Sequence, residues 1–572
     1  MKEIEEILEA HKIIQNSEDE LYKRMESDYG LFRGEEYKAE KGYESFTDNT
    51  PQNVSGKVVD LIGKAQRRLW VPITSEDETE RRFISDTERM VKGCFQLLDR
   101  QLSARSEPGL QKQMSWYAVN RGWILPYILI LKNKKDKKTT LKGGVLDRRW
   151  TTFEIGEYGA MWLCSEKTIS GRQAEYLYDL EDAPTEVPIY YFFDTKNFGI
   201  FSGERDKNSG KVNAGEWLVE LTPHGFGRCP VVIKPVGATP YIVSSDYSDT
   251  IRDVGESVFS NTRNLYGPTN KVLSWMMDMI AFGRKPVKVH QSLDGRKTFA
   301  EDPNRAGAEL QTSWQDKEEV KYLENPRMPF ETPTMLQVLD GKIQQGTLPA
   351  TAFGNAPFAL SGYAYEMLRY GMGSLIDRYA EAVAESYEEM ARLISEEFAS
   401  GGFKPIKIPV DDKKKGYNIY EEFKPSQIQG YEFECDLEIG MPQDDMKKWQ
   451  IATLAHGGPN PLLSAGTVRE TLLKLEDTDL EDDKLLEEFA SNEPTVKLLK
   501  TLDAMRRRNA PDEEWMPIAL DLQELRMQRM KQYVNSLGGG GGGQGGTQPS
   551  STPQAAPPPN TQTGMGAMPL GG

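Results

Sequence analysis

Four Gly-Lys pairs come nearest to phosphate chemistry, and none completes it. Gly56, Gly63, Gly210 and Gly341 each precede a lysine, and the next residues are Val, Ala, Val and Ile. A P-loop needs Ser or Thr there to hold Mg²⁺, so that ATP-binding motif is missing. Histidine occurs at 11, 224, 290 and 456, and none opens an HExxH zinc motif. No GxSxG nucleophile elbow occurs. Ser361-Gly362 has the look of a nucleophile, but no histidine is near it in sequence. A serine there also suits the N-cap of the helix that follows, where its hydroxyl satisfies an orphan N–H. Cys94, Cys164, Cys229 and Cys435 are far apart and show no CxxC or Cys/His spacing, which argues against zinc. Asp477, Asp479, Asp482 and Asp483 could meet a divalent ion, but a calcium loop wants a central glycine and this run lacks one. Solvated acidic surface is the simpler reading. The expectation is no catalytic residue, no metal and no cofactor: not an enzyme.

The elements around these residues are those of a large soluble chain. Its 572 residues exceed one ordinary core, so several subdomains are expected. Lys and Arg number 70 against 87 Asp and Glu, for a net charge of −17. That balance argues against gripping nucleic acid through a broad basic face. It still permits a surface past which DNA slides. With no signal peptide and no cysteine framework, a reducing cytoplasmic setting is expected. The longest apolar run, Trp123 to Leu131, is shorter than the roughly 20 residues a bilayer-spanning helix needs. It reads as a buried strand or helix end, and no membrane insertion is expected.

Apolar periodicity predicts helices over 2–27, 54–69, 78–102 and 109–120. Tyr29-Gly-Leu-Phe-Arg-Gly34 is expected to end the first. Lys132 to Lys142 reads as a solvated loop. From about 145 to 236, β-rich runs separated by turns predict a small antiparallel subdomain: 150–155, 160–163, 175–178, 189–193, 217–221 and 231–233. A turn is expected at Lys207 to Gly210. Helix resumes near Asp246, with Ile251, Val254, Val258, Thr262 and Leu265 on one face. Gly267-Pro268 should interrupt it, Pro268 opening a new helix that runs to Ala281. Val287 to Val289 alternates, and Asp294-Gly295 suggests a hairpin turn in a charged insert that ends near Asn325.

The most distinctive stretch lies between Pro333 and Phe398. Thr334 to Gln345 reads as helix. Residues 346–360 form a loop without Lys or Arg. From Ser361 one amphipathic helix runs to about Ser400, with Leu368, Met372, Leu375, Ile376, Tyr379, Val383, Tyr387, Met390, Leu393, Ile394 and Phe398 on one stripe. Strands are expected at 404–410 and 430–439, around an exposed run at 411–416, then helix at 446–455. Three or four further helices with acidic linkers are expected from Ser464 to Leu537. The glycine run 538–543 and the uncharged tail to Gly572 cannot bury enough apolar surface to order themselves.

This order of features resembles the portal proteins of tailed bacteriophages, the head-to-tail connectors. The resemblance rests on the helix broken at Gly267-Pro268, the insert at 286–325 and the helix returning at Thr334. It rests also on the Gly/Pro/Ala loop leading into Ser361-Gly-Tyr-Ala-Tyr-Glu. The run Pro461-Leu-Leu-Ser-Ala-Gly-Thr-Val-Arg-Glu-Thr-Leu-Leu and the opening helix with Tyr29–Gly34 complete it. It covers roughly residues 20–510, and the order of the motifs carries more than any one of them.

The resemblance implies an α+β, mainly α-helical subunit. Residues 1–135 would be an N-terminal helical wing and 136–245 a β-rich wing subdomain. A first stem helix (246–285) would lead to a small α/β clip (286–330) and a second stem helix (331–346). The tunnel loop would be 347–360, and 361–460 the long wing helix with its strands. A helical crown (461–537) and the tail (538–572) would follow. The subunit would assemble as a ring of twelve. In the loop, Thr347, Leu348, Pro349, Thr351, Phe353, Asn355 and Phe358 would face DNA; a plain connector, or a contact with the neighbouring subunit, are the competing readings. Arg263, Lys271 and Lys342 are candidate channel cations, with Arg284, Lys285 and Arg327 beside them; ion pairs or solvated surface are equally open. The clip residues Lys288, His290, Arg296, Lys297, Trp314 and Lys317 would dock the large terminase subunit and later head–tail adaptor and tail proteins. Further partners would be double-stranded viral DNA in transit, the major capsid protein and a scaffolding protein. The location would be the virion's capsid vertex, after assembly in the host cytoplasm. Alternative readings are a helical scaffold or adaptor without a channel, and a DNA-packaging enzyme, against which the missing P-loop weighs.

Overall fold

The structure is a computed structural model. It describes residues 3–39, 44–72, 77–132, 139–157, 159–180, 183–205, 212–237, 251–284, 288–291, 319–322, 329–348, 362–400, 402–412, 417–439, 450–455, 493–507 and 512–537, with a few single positions between 464 and 490. Helices and antiparallel sheets are mixed as far as Glu438, beyond which the described elements are helices. The chain divides into two compact units, Met1–Lys448 and Trp449–Gly572.

The first unit opens with two helices, α1 (Ile4–Ser17) and α2 (Asp19–Arg33). The sequence predicted one helix over 2–27. The break falls at Glu18, whose carboxylate is buried against Tyr22 and Arg148. Tyr29 to Arg33 continue α2, and Gly34 alone is the stop, at φ +64. Next come α3 (Thr50–Gly63), β1 (Gln66–Trp70), α4 (Glu78–Ala104) and α5 (Leu110–Arg121). Residues 66–69, expected in the helix from Val54, are instead strand, because they pair with β14 (Glu434–Glu438).

Trp123 to Leu131 is indeed a buried strand, β2 (Trp123–Lys132). It pairs with β3 (Thr139–Leu146) and β9 (Lys234–Pro235). Residues 139–142, expected in a solvated loop, therefore lie in a sheet, and a boundary at 135 would cut a hairpin. A five-stranded meander follows: β4 (Thr151–Gly156), β5 (Gly159–Ser170), β6 (Glu186–Asp194), β7 (Asn197–Arg205) and β8 (Val212–Pro223). The run 175–178 was expected to be strand and is helix, in α6 (Gly171–Tyr178). Ser170 and Gln173 form a capping box that starts the turn, and this outweighs the β preference of its tyrosines. The expected turn at 207–210 lies outside the described residues.

Beyond a helical turn at 251–252, residues 253–262 are not helical as predicted; regular helix resumes with α7 (Arg263–Arg284). The chain before it carries Gly255 at φ +77, packed backbone to backbone on Gly122. A Cβ on Gly255 would come within 2.5 Å of the Gly122 carbonyl. Pro268 does not open a new helix but sits inside α7, one backbone N–H short. The strands β10 (Lys288–Gln291) and β11 (Glu319–Tyr322) pair antiparallel, and α8 (Thr332–Gly346) returns. The long helix is α9 (Gly362–Ser400); at about 1.5 Å per residue its 39 residues span roughly 58 Å. Its stripe from Ile376 to Phe398 is buried in the main core, with side chains from α3, α4, α5 and β2. The strands β12 (Ile406–Asp412) and β13 (Tyr417–Phe423) form a hairpin whose second strand the sequence reading did not pick out.

The second unit contains helix at 450–455 and the pair α10 (Pro494–Arg507) and α11 (Asp512–Leu537), which pack on each other. Between them an open apolar groove of about 540 Å³ is lined by Leu499, Met527, Met530 and Arg526. The tail 538–572 and most of 456–492 lie outside the described residues.

Candidate functional site

The hairpin of α7 and α8 leaves the first unit with much of its apolar surface uncovered. Trp275, Met277 and Ile280 on α7 are exposed, as are Met335 and Val338 on α8. Phe330, just before α8, is 91% exposed. The strand pair β10/β11 joins the far ends of the two helices, with Lys288 opposite Tyr322 and His290 opposite Val320.

The base of the hairpin is fastened with charge. Arg263 lies against the buried Asp28 carboxylate, Nη2 to Oδ2 being 2.8 Å, and Ser257 donates to the same oxygen at 2.7 Å. Arg24 donates to the carbonyls of Arg252 and Gly255. Trp123 donates its indole N–H to the Val254 carbonyl at 3.0 Å. Arg378 on α9 reaches Glu256 at 2.6 Å. At the other foot, Gly346 lies so close to Thr262 that a Cβ would come within 2.5 Å of its methyl group. Deeper in, Arg148 is fully buried and donates to Glu18 at 2.7 Å and to the Tyr22 hydroxyl at 3.0 Å. Its guanidinium also stacks 4.4 Å from the Phe153 ring centroid.

These contacts relocate several residues that the sequence put forward. Arg263 already has an intrachain carboxylate partner. Lys271 sits over the Trp275 ring, 4.9 Å from its centroid, and its position is exposed. Lys342 is exposed and donates to Gln345 at 3.2 Å. Thr347 and Leu348 do not face outward as expected. Thr347 is buried and donates to the Ile343 carbonyl at 2.7 Å, and Leu348 joins the main core. They cap the end of α8 and plug its foot, so an outward-facing loop would start after them. Pro349, Thr351, Phe353, Asn355 and Phe358 lie outside the described residues, as do Ser361, Arg296, Lys297, Trp314, Lys317, Lys285 and Arg327. So do Asp294-Gly295, Asp477, Asp479, Asp482, Asp483 and most of the 461–473 run.

Sequence reading missed Asp28, Asn270, Ser274 and Asp278. The last three recur every four residues in a helix that is otherwise largely apolar, and that spacing was the available signal. Each accepts a backbone N–H from the segment before α3: Asp48 to Asn270, Phe46 to Ser274 and Glu44 to Asp278.

Among the described side chains, His11, His224 and the four cysteines are buried or half-buried. His11 meets the Thr152 hydroxyl at 2.6 Å, and burial, with help from Lys12, lowers its pKa to about 4. His224 donates through Nε2 to the Asp194 carbonyl, Nδ1 accepts from Phe226, and burial lowers its pKa. All four cysteines are free thiols, and burial pushes Cys94, Cys229 and Cys435 up to about 12. Among the described residues no group of His, Cys, Asp and Glu could hold a metal ion, and no helix is long and apolar enough to cross a membrane. No model of a known protein family matches the chain, and a search of curated proteins finds no match either.

Proposed function

We propose that this chain is the subunit of a ring-shaped DNA channel of the kind that tailed-bacteriophage portal proteins form. The observation that carries the reading is the α7/α8 hairpin. Its flanks expose Trp275, Ile280, Met335 and Val338, while its base is pinned to the body by Asp28, Gly346 and Leu348. A helix pair that is anchored firmly and left apolar outside needs a neighbour, since contiguous exposed apolar surface marks an interaction site. Copies of the same hairpin side by side would cover it, and a head-to-tail contact that closes makes a ring.

Charge supports the same reading. Duplex DNA carries one negative charge per about 1.7 Å of axis, and a strongly basic lining would hold it. Here Arg263 is neutralised by Asp28, and the whole chain carries −17. Lys271 and Lys342 remain as exposed cations on the hairpin, enough for passing phosphate contacts. In this reading β10/β11 forms part of the clip that meets the terminase and then adaptor and tail proteins. The segment after Leu348 borders the channel. The ring works without catalysis, at a capsid vertex.

Imaging of the purified full-length protein in negative stain tests this. Closed rings with a central hole are expected. Monomers at every concentration overturn the channel and favour a scaffold or adaptor; robust ATPase activity of the pure chain favours a packaging enzyme.

A further inference from the structure

Between α2 and α3, residues 35–39 and 44–49 lie beside each other, and the second stretch runs along α7. There, Glu44, Phe46 and Asp48 donate alternate backbone N–H groups to Asp278 Oδ1 (2.7 Å), Ser274 Oγ (2.9 Å) and Asn270 Oδ1 (2.9 Å). Two residues of extended chain advance about 6.6 Å and four residues of helix about 6 Å, so the two repeats stay in step over three rungs. The first stretch is tied to the second on its other side: Tyr37 N–H donates to the Thr47 hydroxyl at 2.8 Å and Ala39 N–H to the Ser45 hydroxyl at 3.2 Å.

Two features separate this strap from ordinary packing. Its hydrogen bonds to α7 all end on side chains, and the stripe it covers is polar: Ser274 and Asp278 are buried under it. Among the described side chains, neither the strap nor residues 269–284 contribute one to the apolar cores, so lifting the strap returns polar groups to water as a local event rather than a loss of core. The second feature is position. The Asp28–Arg263 pair holds the first residue of α7, before Pro268, whereas the three rungs lie after it. At Pro268 the helix lacks one backbone hydrogen bond, which makes it the weakest point for bending. Among the described residues, α8 is the one helix against which α7 packs extensively.

We propose that residues 35–39 and 44–49 are a latch across a hinge. Closed, the latch fixes the distal part of α7, residues 269–284, in line with its anchored base. Open, it frees that part to swing about Pro268. The device concerns the single chain and stands whether or not the chain forms a DNA channel.

Hydrogen–deuterium exchange on the full-length protein tests it. In Asn270→Ala with Ser274→Ala, the strap amides should exchange about tenfold faster, on the scale of losing two hydrogen bonds. The amides of 269–284 should follow, while 376–398 stay unchanged. Alanine favours helix, so faster exchange in α7 cannot come from propensity. Adding Pro268→Ala to that variant should bring the 269–284 rates back towards wild type. A second measurement does not depend on that variant folding. Phe46→Cys with Ser274→Cys, joined by a short thiol-reactive crosslinker, should slow exchange over 269–284 relative to the same protein before crosslinking. The proposal is overturned if α7 exchange ignores the state of the strap in either experiment, or if Pro268→Ala has no effect on it.

Discussion

The helices α9 and α7 both carry a large apolar side chain at almost every turn, and the fold treats them in opposite ways. Tyr379, Tyr387 and Phe398 of α9 are fully buried, walled in by α3, α4, α5 and β2. Trp275 and Ile280 of α7 stand in solvent. The flanks explain the contrast. The exposed flank of α9 is lined with glutamates, among them Glu385, Glu389 and Glu396, which pair with Lys234 and Arg228 from neighbouring segments. Among the described side chains, the distal part of α7 offers Lys271 as its one exposed charge, and Asn270, Ser274 and Asp278 face the strap. One helix completes a subunit; the other is finished only by something outside it.

Five perturbations bear on that difference, in decreasing order of effect on stability. Breaking the internal side should be severe. Phe398→Ala empties a site in the main core and should cost about 3–5 kcal/mol in denaturant unfolding. Arg148→Met strands the buried Glu18 carboxylate and should cost a similar ~3–5 kcal/mol, with Glu18→Gln in the same chain recovering part of it. If either change is nearly neutral, the body is not the rigid partner described here.

The second effect is pH dependence at the N-terminal helix. His11 is neutral in the folded chain because burial holds its pKa near 4, below the ordinary 6.5. Its protonation therefore favours the unfolded state. That contribution to stability is whole above about pH 6.5 and shrinks as the pH falls towards 4. The shift corresponds to about 3 kcal/mol. Acid titrations of wild type and His11→Gln, compared by circular dichroism, should differ in that window; parallel curves would remove His11 from the account.

On the external side the stability effect should be small. Trp275→Ser with Ile280→Ser should change unfolding free energy by about 0.5 kcal/mol or less. The same pair should reduce the assembled fraction in sedimentation. Loss of stability without loss of assembly would mean that α7 is internal after all. Smallest of all, native Cys94 and Cys229 should resist alkylation at pH 8, because burial keeps the thiols protonated. Modification as fast as in denaturant would show the core to be open.

What sequence reading recovered was set by local periodicity. The α9 stripe, α4, α5 and the β meander all bury one face, and that pattern is written in consecutive residues. The failures lie where distant residues decide. Residues 66–69 are strand because β14 supplies a partner some 370 positions later, a distance no local window spans. Residues 253–262 are not helix, and within them Gly255 packs at positive φ against Gly122, some 130 positions earlier. Thr347 and Leu348 looked like loop because nothing nearby revealed that α8 ends inside the body. Of the proposed site, the helix–loop–helix order was legible. The Asp28 anchor and the strap were not, since each pairs residues more than 200 positions apart.

The first fifty residues hold a consequence for biosynthesis. Their partners lie far downstream: His11 with Thr152, Glu18 with Arg148, Arg24 with Arg252, Asp28 with Arg263, and Glu44 with Asp278. At 5–20 residues per second, on the order of 10–50 s separate the synthesis of Glu44 from that of Asp278. Through that interval α1 and α2 have no finished surface to dock on, and chaperones that reach the emerging polypeptide meet both helices undocked.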